Sequence, residues 1–256
     1  MTNLFDLTGR VAVVTGANTG IGQGIAVALA QAGADIALVG RSSAEETADL
    51  VRGAGRRAAL IEADLSTIAP VGEVVERTLA ELGGLDILVN NAGIIRRADA
   101  VDFSEEDWDS VIDTNLKSVF FLCQAAGRHM IARHEQGRRR GKIVNIASML
   151  SFQGGIRVPS YTASKSGVAG LTKLLANEWA AKGINVNAIA PGYIATSNTA
   201  ALQADETRNR QIVERIPAGR WGEPADLGGA AVFLASPASD YVNGHILAVD
   251  GGWLAR

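Results

Sequence analysis

Cysteine, histidine and long apolar runs are scarce in this chain of 256 residues. Its one cysteine, Cys123, excludes an intrachain disulfide and favours a reducing, cytoplasmic environment. The three histidines, His129, His134 and His245, lack the spacing of metal ligands. No apolar stretch approaches the roughly 18 residues that cross a bilayer, and the N-terminus has no signal-peptide pattern. We therefore expect a cytoplasmic protein that holds no metal and does not enter a membrane.

The chain also lacks an excess of charge of either sign. Lys and Arg total 24 against 27 Asp and Glu, which leaves a net charge of -3. A surface so balanced gives no general electrostatic reason to bind nucleic acid or an anionic membrane. We interpret the basic run Arg138–Arg140 as a solvated loop rather than a polyanion site. A small molecule is the expected partner.

Short apolar runs alternate with segments of helical period along the whole chain. This alternation is typical of a parallel sheet whose strands are joined by crossover helices. The predicted strands are 11–15, 35–39, 58–63, 86–90, 142–147, 184–190 and 245–249. One predicted helix follows the first strand, and the others span 44–54, 70–82, 105–133, 161–181 and 224–235. Because no repeat or linker interrupts the pattern, we predict one α/β domain, 1–256, with a substrate lid near residues 193–220.

A glycine-rich turn directly follows the first predicted strand and opens a helix. It reads Thr15-Gly-Ala-Asn-Thr-Gly-Ile-Gly22. Glycines let the backbone approach a pyrophosphate, whose charge is met by N–H groups at the positive end of the helix dipole. The spacing is a variant of the dinucleotide fingerprint, although such turns also serve only to pack a helix on a strand. The predicted cofactor contacts here are Gly16, Asn18, Thr19, Gly20, Ile21 and Gly22.

The end of the second predicted strand bears on the choice between NAD and NADP. An acidic residue at this point holds the ribose 2′-hydroxyl of NAD, whereas an Arg accommodates the 2′-phosphate of NADP. The sequence has Arg41 and Ser42 here and no carboxylate, which favours NADP(H); a solvent-facing Arg is the competing interpretation. After the third strand come Asp64 and Leu65, where a carboxylate would accept a hydrogen bond from an adenine amine.

Two later strand ends carry small residues together with amides or hydroxyls. Small residues after the fourth strand would let a cofactor lie against the backbone at the switch point of the sheet. After the sixth strand, a Pro-Gly pair ends the strand, and the hydroxyl and backbone groups that follow suit a nicotinamide carboxamide. The predicted contacts are Asn91, Ala92, Gly93, Pro191, Gly192, Ile194 and Thr196.

Tyr161 and Lys165 stand four residues apart in a predicted helix, so their side chains share one face. A fixed cation lowers the pKa of a phenol and makes it usable for proton transfer, whereas the plain alternative is a half-buried Tyr beside a solvated Lys. Ser148 ends the fifth strand just before this helix. Asn115 lies among apolar residues of another helix, where its amide must be satisfied by water or main-chain groups.

These motifs, in this order and at this spacing, resemble the short-chain dehydrogenase/reductase family over essentially the whole chain. The resemblance implies an NAD(P)-dependent oxidoreductase, a homotetramer, and a Rossmann-type doubly wound sheet of seven parallel strands in the order 3-2-1-4-5-6-7. It implies that Tyr161 is the general acid or base, and that Lys165 lowers its pKa and binds the nicotinamide ribose. Ser148 would hydrogen-bond the substrate oxygen, and Asn115 would hold a water that relays protons.

Residues 90–97, 151–161 and 189–196 resemble more narrowly a group of sugar-acid enzymes in that family, the 2-deoxy-D-gluconate 3-dehydrogenases and 2-dehydro-3-deoxy-D-gluconate 5-dehydrogenases. Loop arginines at the carboxyl edge of a sheet suit the carboxylate of such a substrate. These loop arginines are Arg96, Arg97 and Arg157. The predicted substrate contacts are Arg96, Gln153, Arg157 and Tyr193, each of which is equally explained as a surface residue.

The sequence leaves alternatives for both the cofactor and the reaction. The sugar-acid group is generally NAD-linked whereas Arg41 favours NADP, so the predicted cofactor is NAD(P) with the two left open. The competing activities are a 3-oxoacyl thioester reductase and a catalytically idle dinucleotide-binding sensor on the same fold.

Overall fold

Seven short apolar segments pair as parallel strands of one sheet in the computed structural model, which describes residues 3–256 and leaves Met1 and Thr2 outside. The strand order is β3-β2-β1-β4-β5-β6-β7, so the predicted topology is confirmed. Each strand begins and ends within one residue of its predicted limits. The strands are β1 Val11–Thr15, β2 Asp35–Gly40, β3 Ala58–Glu62, β4 Ile87–Asn90, β5 Gly141–Ile146, β6 Ile184–Pro191 and β7 Ile246–Val249.

Helices cover both faces of the sheet, which is why the central strands are apolar on both sides. Every residue of β1, β5 and β6 is buried. Val11 and Val13 of β1 pack into the core on one face, whereas Ala12 and Val14 pack into the core on the other. The period of two along each strand thus divides its side chains between two hydrophobic cores.

The helices run between the strands and account for most of the remaining chain. The α-helices are α1 Gly20–Gln31, α2 Glu45–Gly53, α3 Val71–Leu82, α4 Glu105–Ile112, α5 Ser118–Glu135, α6 Pro159–Trp179, α7 Ala200–Ala204, α8 Glu206–Arg215 and α9 Gly228–Ala235. Pro159 begins α6, because the missing N–H of a proline costs nothing in the first turn of a helix.

Three segments differ from the sequence-based prediction. The helix predicted over 224–235 begins with a 3-10 turn, Pro224–Leu227, and is α-helical only from Gly228. The single helix predicted over 105–133 is divided by a π-helical turn, Asp113–Lys117, between α4 and α5. This π turn spans five residues, which is too short a stretch for hydrophobic periodicity to distinguish it from the α-helices on either side. The predicted lid, 193–220, contains α7 and α8 rather than loop alone.

Ion pairs fasten the N-terminal edge of the sheet. Arg133 Nη1 lies 2.8 Å from Asp86 Oδ1 just before β4, and the fully buried Lys142 Nζ at the start of β5 lies 2.7 Å from Asp240 Oδ1. The predicted cofactor and catalytic residues lie at the opposite, carboxyl edge of the sheet. The ion pairs and the candidate site are therefore at different ends of the strands. Among residues 3–256, no helix is both long and apolar enough to cross a membrane.

Candidate active site

A cleft of about 1020 Å³ opens at the carboxyl ends of β1, β4, β5 and β6. It brings together most of the residues that the sequence singled out, from the four loops after these strands and from α6. The predicted residues that line it are Gly16, Asn18, Thr19, Gly20, Ile21, Asn91, Ala92, Gly93, Ser148, Gln153, Arg157, Tyr161, Lys165, Pro191, Gly192, Tyr193, Ile194 and Thr196.

The glycine-rich turn has the backbone geometry that a dinucleotide phosphate requires. Gly16 and Gly20 adopt φ of 62° and 58°, which residues with a Cβ rarely adopt. A Cβ at Gly22 would overlap the Gly16 carbonyl oxygen, so this glycine lets α1 pack directly on the turn. Asn91 Nδ2 donates to the Thr15 and Gly16 carbonyls at 2.9 and 3.1 Å and fixes the turn to the end of β4.

The first turn of α1 leaves its backbone N–H groups available to a ligand. Thr19 is the N-cap residue, and its side chain makes no capping hydrogen bond. No acidic side chain stands in the first turn, so the positive end of the helix dipole is not neutralised there. Together with the open glycine turn, this arrangement fits the pyrophosphate of NAD(P).

Ser148 is held in place at the end of β5 by main-chain and side-chain hydrogen bonds. Its hydroxyl accepts from the Leu150 N–H at 3.1 Å and caps the short turn Met149–Ser151. Ser151 Oγ in turn accepts from the Ser148 N–H at 3.3 Å and donates to the Lys165 carbonyl at 2.7 Å. One serine thus ties the end of β5 to α6 and sets where Ser148 stands relative to that helix.

Lys165 is buried and points toward the end of β5. Its Nζ donates to the Ile146 carbonyl at 2.6 Å and lies 5.7 Å from the centre of the Tyr161 ring. Burial lowers the pKa of Lys165 to about 8. The shared face predicted for the two side chains is therefore present.

The pKa of Tyr161 differs from the sequence-based expectation. Burial is the largest influence and raises the pKa of the phenol, while the nearby Ser148 hydroxyl and the charge of Arg97 act in the opposite direction. The prediction that a neighbouring cation gives Tyr161 a lowered pKa is wrong in its net direction, because desolvation of the phenolate outweighs these influences. The phenol is protonated at neutral pH.

Asn115 lies in the π-helical turn, and its side chain is fully buried. Its Oδ1 accepts from the Ile94 N–H at 2.8 Å, and its Nδ2 donates to the Ile94 carbonyl at 2.9 Å and to Ser164 Oγ at 3.4 Å. The main-chain bond that the sequence left open is thus present. A water relay through Asn115 stays a prediction, and its side-chain groups are already engaged.

Six predicted cofactor or catalytic residues lie outside the lining of the cleft. Leu65 belongs to the hydrophobic core, and Asp64 Oδ1 accepts from the Ser66 N–H at 3.0 Å in its own turn. Arg41 and Ser42 are exposed after β2. Their contacts with an adenosine stay predictions. The six are Gly22, Arg41, Ser42, Asp64, Leu65 and Asn115.

The structure separates the candidate substrate arginines. Arg96 Nε lies 3.1 Å from Asp107 Oδ1 and does not line the cleft, and its contact with the substrate stays a prediction. Arg97 lines the cleft instead and donates to the Asn198 carbonyl at 3.2 Å. Arg157 also lines the cleft, with its Nε 3.1 Å from Asp99 Oδ1, so a carboxylate already balances its charge.

Gln153 and Tyr193 line the cleft through contacts with an unpredicted residue, Trp253. Trp253 Nε1 donates to Gln153 Oε1 at 3.3 Å, and the Tyr193 ring lies 4.9 Å from the Trp253 ring. Trp253 itself is buried against the floor of the cleft. Its position near the end of the chain carries no sequence signal that would place it beside the loop after β5.

Sequence reasoning also missed the polar side chains that α8 contributes. Arg208, Gln211 and Arg215 line the cleft. With Ile212 they recur at i, i+3, i+4 and i+7, the spacing of one helical face. That periodicity is visible in the sequence and would have found them, had the segment been predicted as a helix rather than as a polar lid.

Comparison with known proteins agrees with this geometry. Residues 16–254 match the model of the family described as Enoyl-(Acyl carrier protein) reductase. The chain is 63% identical over 252 residues to the 2-dehydro-3-deoxy-D-gluconate 5-dehydrogenase of Escherichia coli (strain K12), covering 98% of each protein. It is 61% identical over 254 residues to the enzyme of the same name from Dickeya dadantii (strain 3937), covering 99% of each.

A solved structure agrees over the full length of both chains. It is a protein from Agrobacterium tumefaciens, provisionally assigned as a 2-deoxy-D-gluconate 3-dehydrogenase and crystallised with bound NADP; it shares 60% identity and superposes with a TM-score of 0.91. The glycine-rich turn, the Ser148, Tyr161 and Lys165 arrangement and these matches all lead to one assignment. The chain belongs to the short-chain dehydrogenase/reductase family.

Proposed function

We propose that this protein is an NAD(P)-dependent oxidoreductase that interconverts a secondary alcohol and a ketone on a sugar acid, of the 2-dehydro-3-deoxy-D-gluconate or 2-deoxy-D-gluconate type. The observation that carries the proposal is the convergence of Ser148, Tyr161 and Lys165 in a cleft beside Arg97. The identity of 63% to a 2-dehydro-3-deoxy-D-gluconate 5-dehydrogenase supports the substrate class.

Each of these residues has a separate task at the reacting carbon. Nicotinamide supplies or accepts the hydride when NAD(P) is bound. The Tyr161 phenol donates a proton to the substrate oxygen during ketone reduction and removes it during alcohol oxidation. Ser148 donates a hydrogen bond to the same oxygen, and the Lys165 cation stabilises negative charge that develops on the phenol.

The raised pKa of Tyr161 predicts opposite pH profiles for the two directions. Reduction needs the protonated phenol, which burial favours at neutral pH. Oxidation needs the phenolate, so its rate should rise as the pH increases, while the rate of reduction should fall at alkaline pH.

A substrate panel with Tyr161→Phe tests the proposal. We expect turnover of 2-dehydro-3-deoxy-D-gluconate or 2-deoxy-D-gluconate with NAD or NADP, and a loss of at least about 100-fold in kcat for Tyr161→Phe with an unchanged circular dichroism spectrum. Turnover of a 3-oxoacyl thioester alone would favour the reductase alternative. Tight cofactor binding without turnover of any compound would favour the sensor.

We further propose that the enzyme works in the cytoplasm as a homotetramer. β7 forms one edge of the sheet and exposes Ala248, and Tyr241 before it is fully exposed, which leaves a surface that suits a second subunit. Sedimentation equilibrium distinguishes a tetramer from the 26.7 kDa monomer.

A further inference from the structure

The residues that line the cleft carry an excess of positive charge. Among the residues of the described chain that line it, Arg97, Arg157, Lys165, Arg208 and Arg215 are basic, and none is Asp or Glu. The whole chain, in contrast, has more acidic than basic residues, 27 against 24. A cleft of this composition favours an anionic ligand, because field lines concentrate in a concave surface.

Three of these five cations already contact a carboxylate or a main-chain carbonyl of the protein. Arg157 is paired with Asp99 at 3.1 Å. Lys165 donates to Ile146 at the base of the cleft. Arg97 donates to the Asn198 carbonyl at 3.2 Å, and its charge acts to lower the pKa of Tyr161.

The remaining two cations, Arg208 and Arg215, lie on α8 and take part in no ion pair within the described residues. They lie seven residues apart, or about two turns, and flank Gln211 and Ile212 on one face of the helix. Ile212 is buried and packs with Met149 and Trp253. Because Ile212 fixes how α8 is rotated, the two arginines beside it must face the cleft.

Arg215 is held in position more firmly than its exposure suggests. Its guanidinium carbon lies 3.9 Å from the centre of the Trp253 ring, within the range of a cation–π contact. Trp253 is anchored in turn by Gln153 and Tyr193. Arg208 is less constrained, and its Nη1 donates to Gln211 Oε1 at 3.1 Å.

We propose that Arg208 and Arg215 form the subsite that binds the carboxylate of the sugar-acid substrate, with Gln211 between them available to a neighbouring hydroxyl. An arginine guanidinium matches a carboxylate with two parallel N–H donors. The subsite is on the segment 193–220 and Tyr161 is on α6, so a bound sugar acid spans from one to the other. Substrates without that carboxylate lose this contribution to binding.

The inference rests on the proposed function, and the experiment separates the two. KM and kcat are measured for Arg208→Gln and Arg215→Gln with the sugar acid that the wild type turns over and with its neutral C1 amide. Arg215→Lys keeps the charge but loses the planar guanidinium. Arg210→Gln is the matched control, because Arg210 is exposed on the same helix and lies outside the cleft.

We expect KM for the sugar acid to rise about tenfold or more in each glutamine variant, with Arg215→Lys intermediate and Arg210→Gln unchanged. The wild type should prefer the acid over the amide, and the variants should lose that preference. Binding of NADPH alone, followed by its fluorescence, should not change. An equal loss for acid and amide, or an unchanged KM, would overturn the subsite.

Failure of the proposed function would look different. If the wild type reduced or oxidised no sugar acid, that function would fall, and the subsite would be judged by calorimetric binding of D-gluconate to the same variants with cofactor present. Weaker binding to Arg208→Gln and Arg215→Gln than to Arg210→Gln would support it, and equal binding to all three would refute it.

Discussion

Replacing Lys165 by methionine should remove activity and yet make the nucleotide-free protein more stable at neutral pH. Lys165 is 5% exposed, and its Nζ donates to the Ile146 carbonyl. Within residues 3–256, no carboxylate forms an ion pair with it. The folded protein therefore pays for keeping an ammonium group in a poorly solvated place. Methionine has a similar length and no charge, so it fills the same space without that cost.

The size of the effect follows from the pKa of the amine. Burial lowers the pKa of Lys165 from 10.5 to about 8, which at pH 7 disfavours the folded state by roughly 3 kcal/mol. Leaving the Ile146 carbonyl unpaired costs about 1 kcal/mol in return. The variant should thus gain about 2 kcal/mol in free energy of unfolding at pH 7.

The sign of the pH dependence is fixed by the same shift. The unfolded chain holds the Lys165 proton up to pH 10.5, whereas the folded chain releases it near pH 8, so the stability of the wild type relative to the variant rises across this interval. By about pH 9.5 the difference should be close to zero. Urea unfolding at both pH values measures it.

Lys173→Met is the control, because Lys173 lies on the same helix and is exposed. Its effect on unfolding should be small and independent of pH. The reasoning would be refuted if Lys165→Met destabilised the protein at pH 7, or if its effect did not change between the two pH values.

Three further predictions concern other parts of the chain. Gly22→Ala should lower both the stability of the protein and its affinity for NADP(H), because the new Cβ would overlap the Gly16 carbonyl. Gly72 has open space around it, so Gly72→Ala should stabilise α3 by about 0.5–1 kcal/mol. Thermal melts measure the stability of both variants, and cofactor titration measures their affinity. Arg41→Gln should raise KM for NADP at least about tenfold and leave KM for NAD nearly unchanged in steady-state assays; equal changes would exclude a 2′-phosphate contact. Cys123, whose pKa burial raises to about 12, should resist iodoacetamide in the native protein and react after unfolding, as mass spectrometry would show.

The strands could be predicted closely from the sequence because both faces of this sheet are covered. β1 and β6 are buried throughout, and each is followed directly by a glycine, Gly16 and Gly192, which marks where the strand ends. The catalytic arrangement could be predicted for a related reason. Ser148 ends a strand, and Tyr161 and Lys165 occupy one face of a helix, so local geometry alone sets their direction.

The residues on the substrate side of the cleft could not be predicted from their spacing in the sequence, because tertiary packing decides which of them face the cleft. Arg96 and Arg97 are adjacent in a segment with neither strand nor helix, where no regular period shows which of the two faces the cleft; the prediction chose Arg96, whereas Arg97 lines the cleft. The stack of Arg215 on Trp253 joins residues 38 positions apart. The net pKa of Tyr161 was missed because it depends on burial, which a motif does not report.

The hydrogen bonds of Asn115 limit which parts of the cleft can move. One amide joins the main chain of Ile94, after β4, to Ser164 on α6, so the loop beside the cofactor turn and the helix with the proton-transfer residues form a single frame. α8 is held by the buried Ile212 and by a partly buried hydrogen bond from Trp221 Nε1 to Asn209 Oδ1 at 2.7 Å, whereas no residue of α7 is buried. Amide exchange should accordingly be slow around Ile94 and Ser164, intermediate in α8 and fast in α7, so α7 is the part of the cleft that moves most easily when a substrate enters.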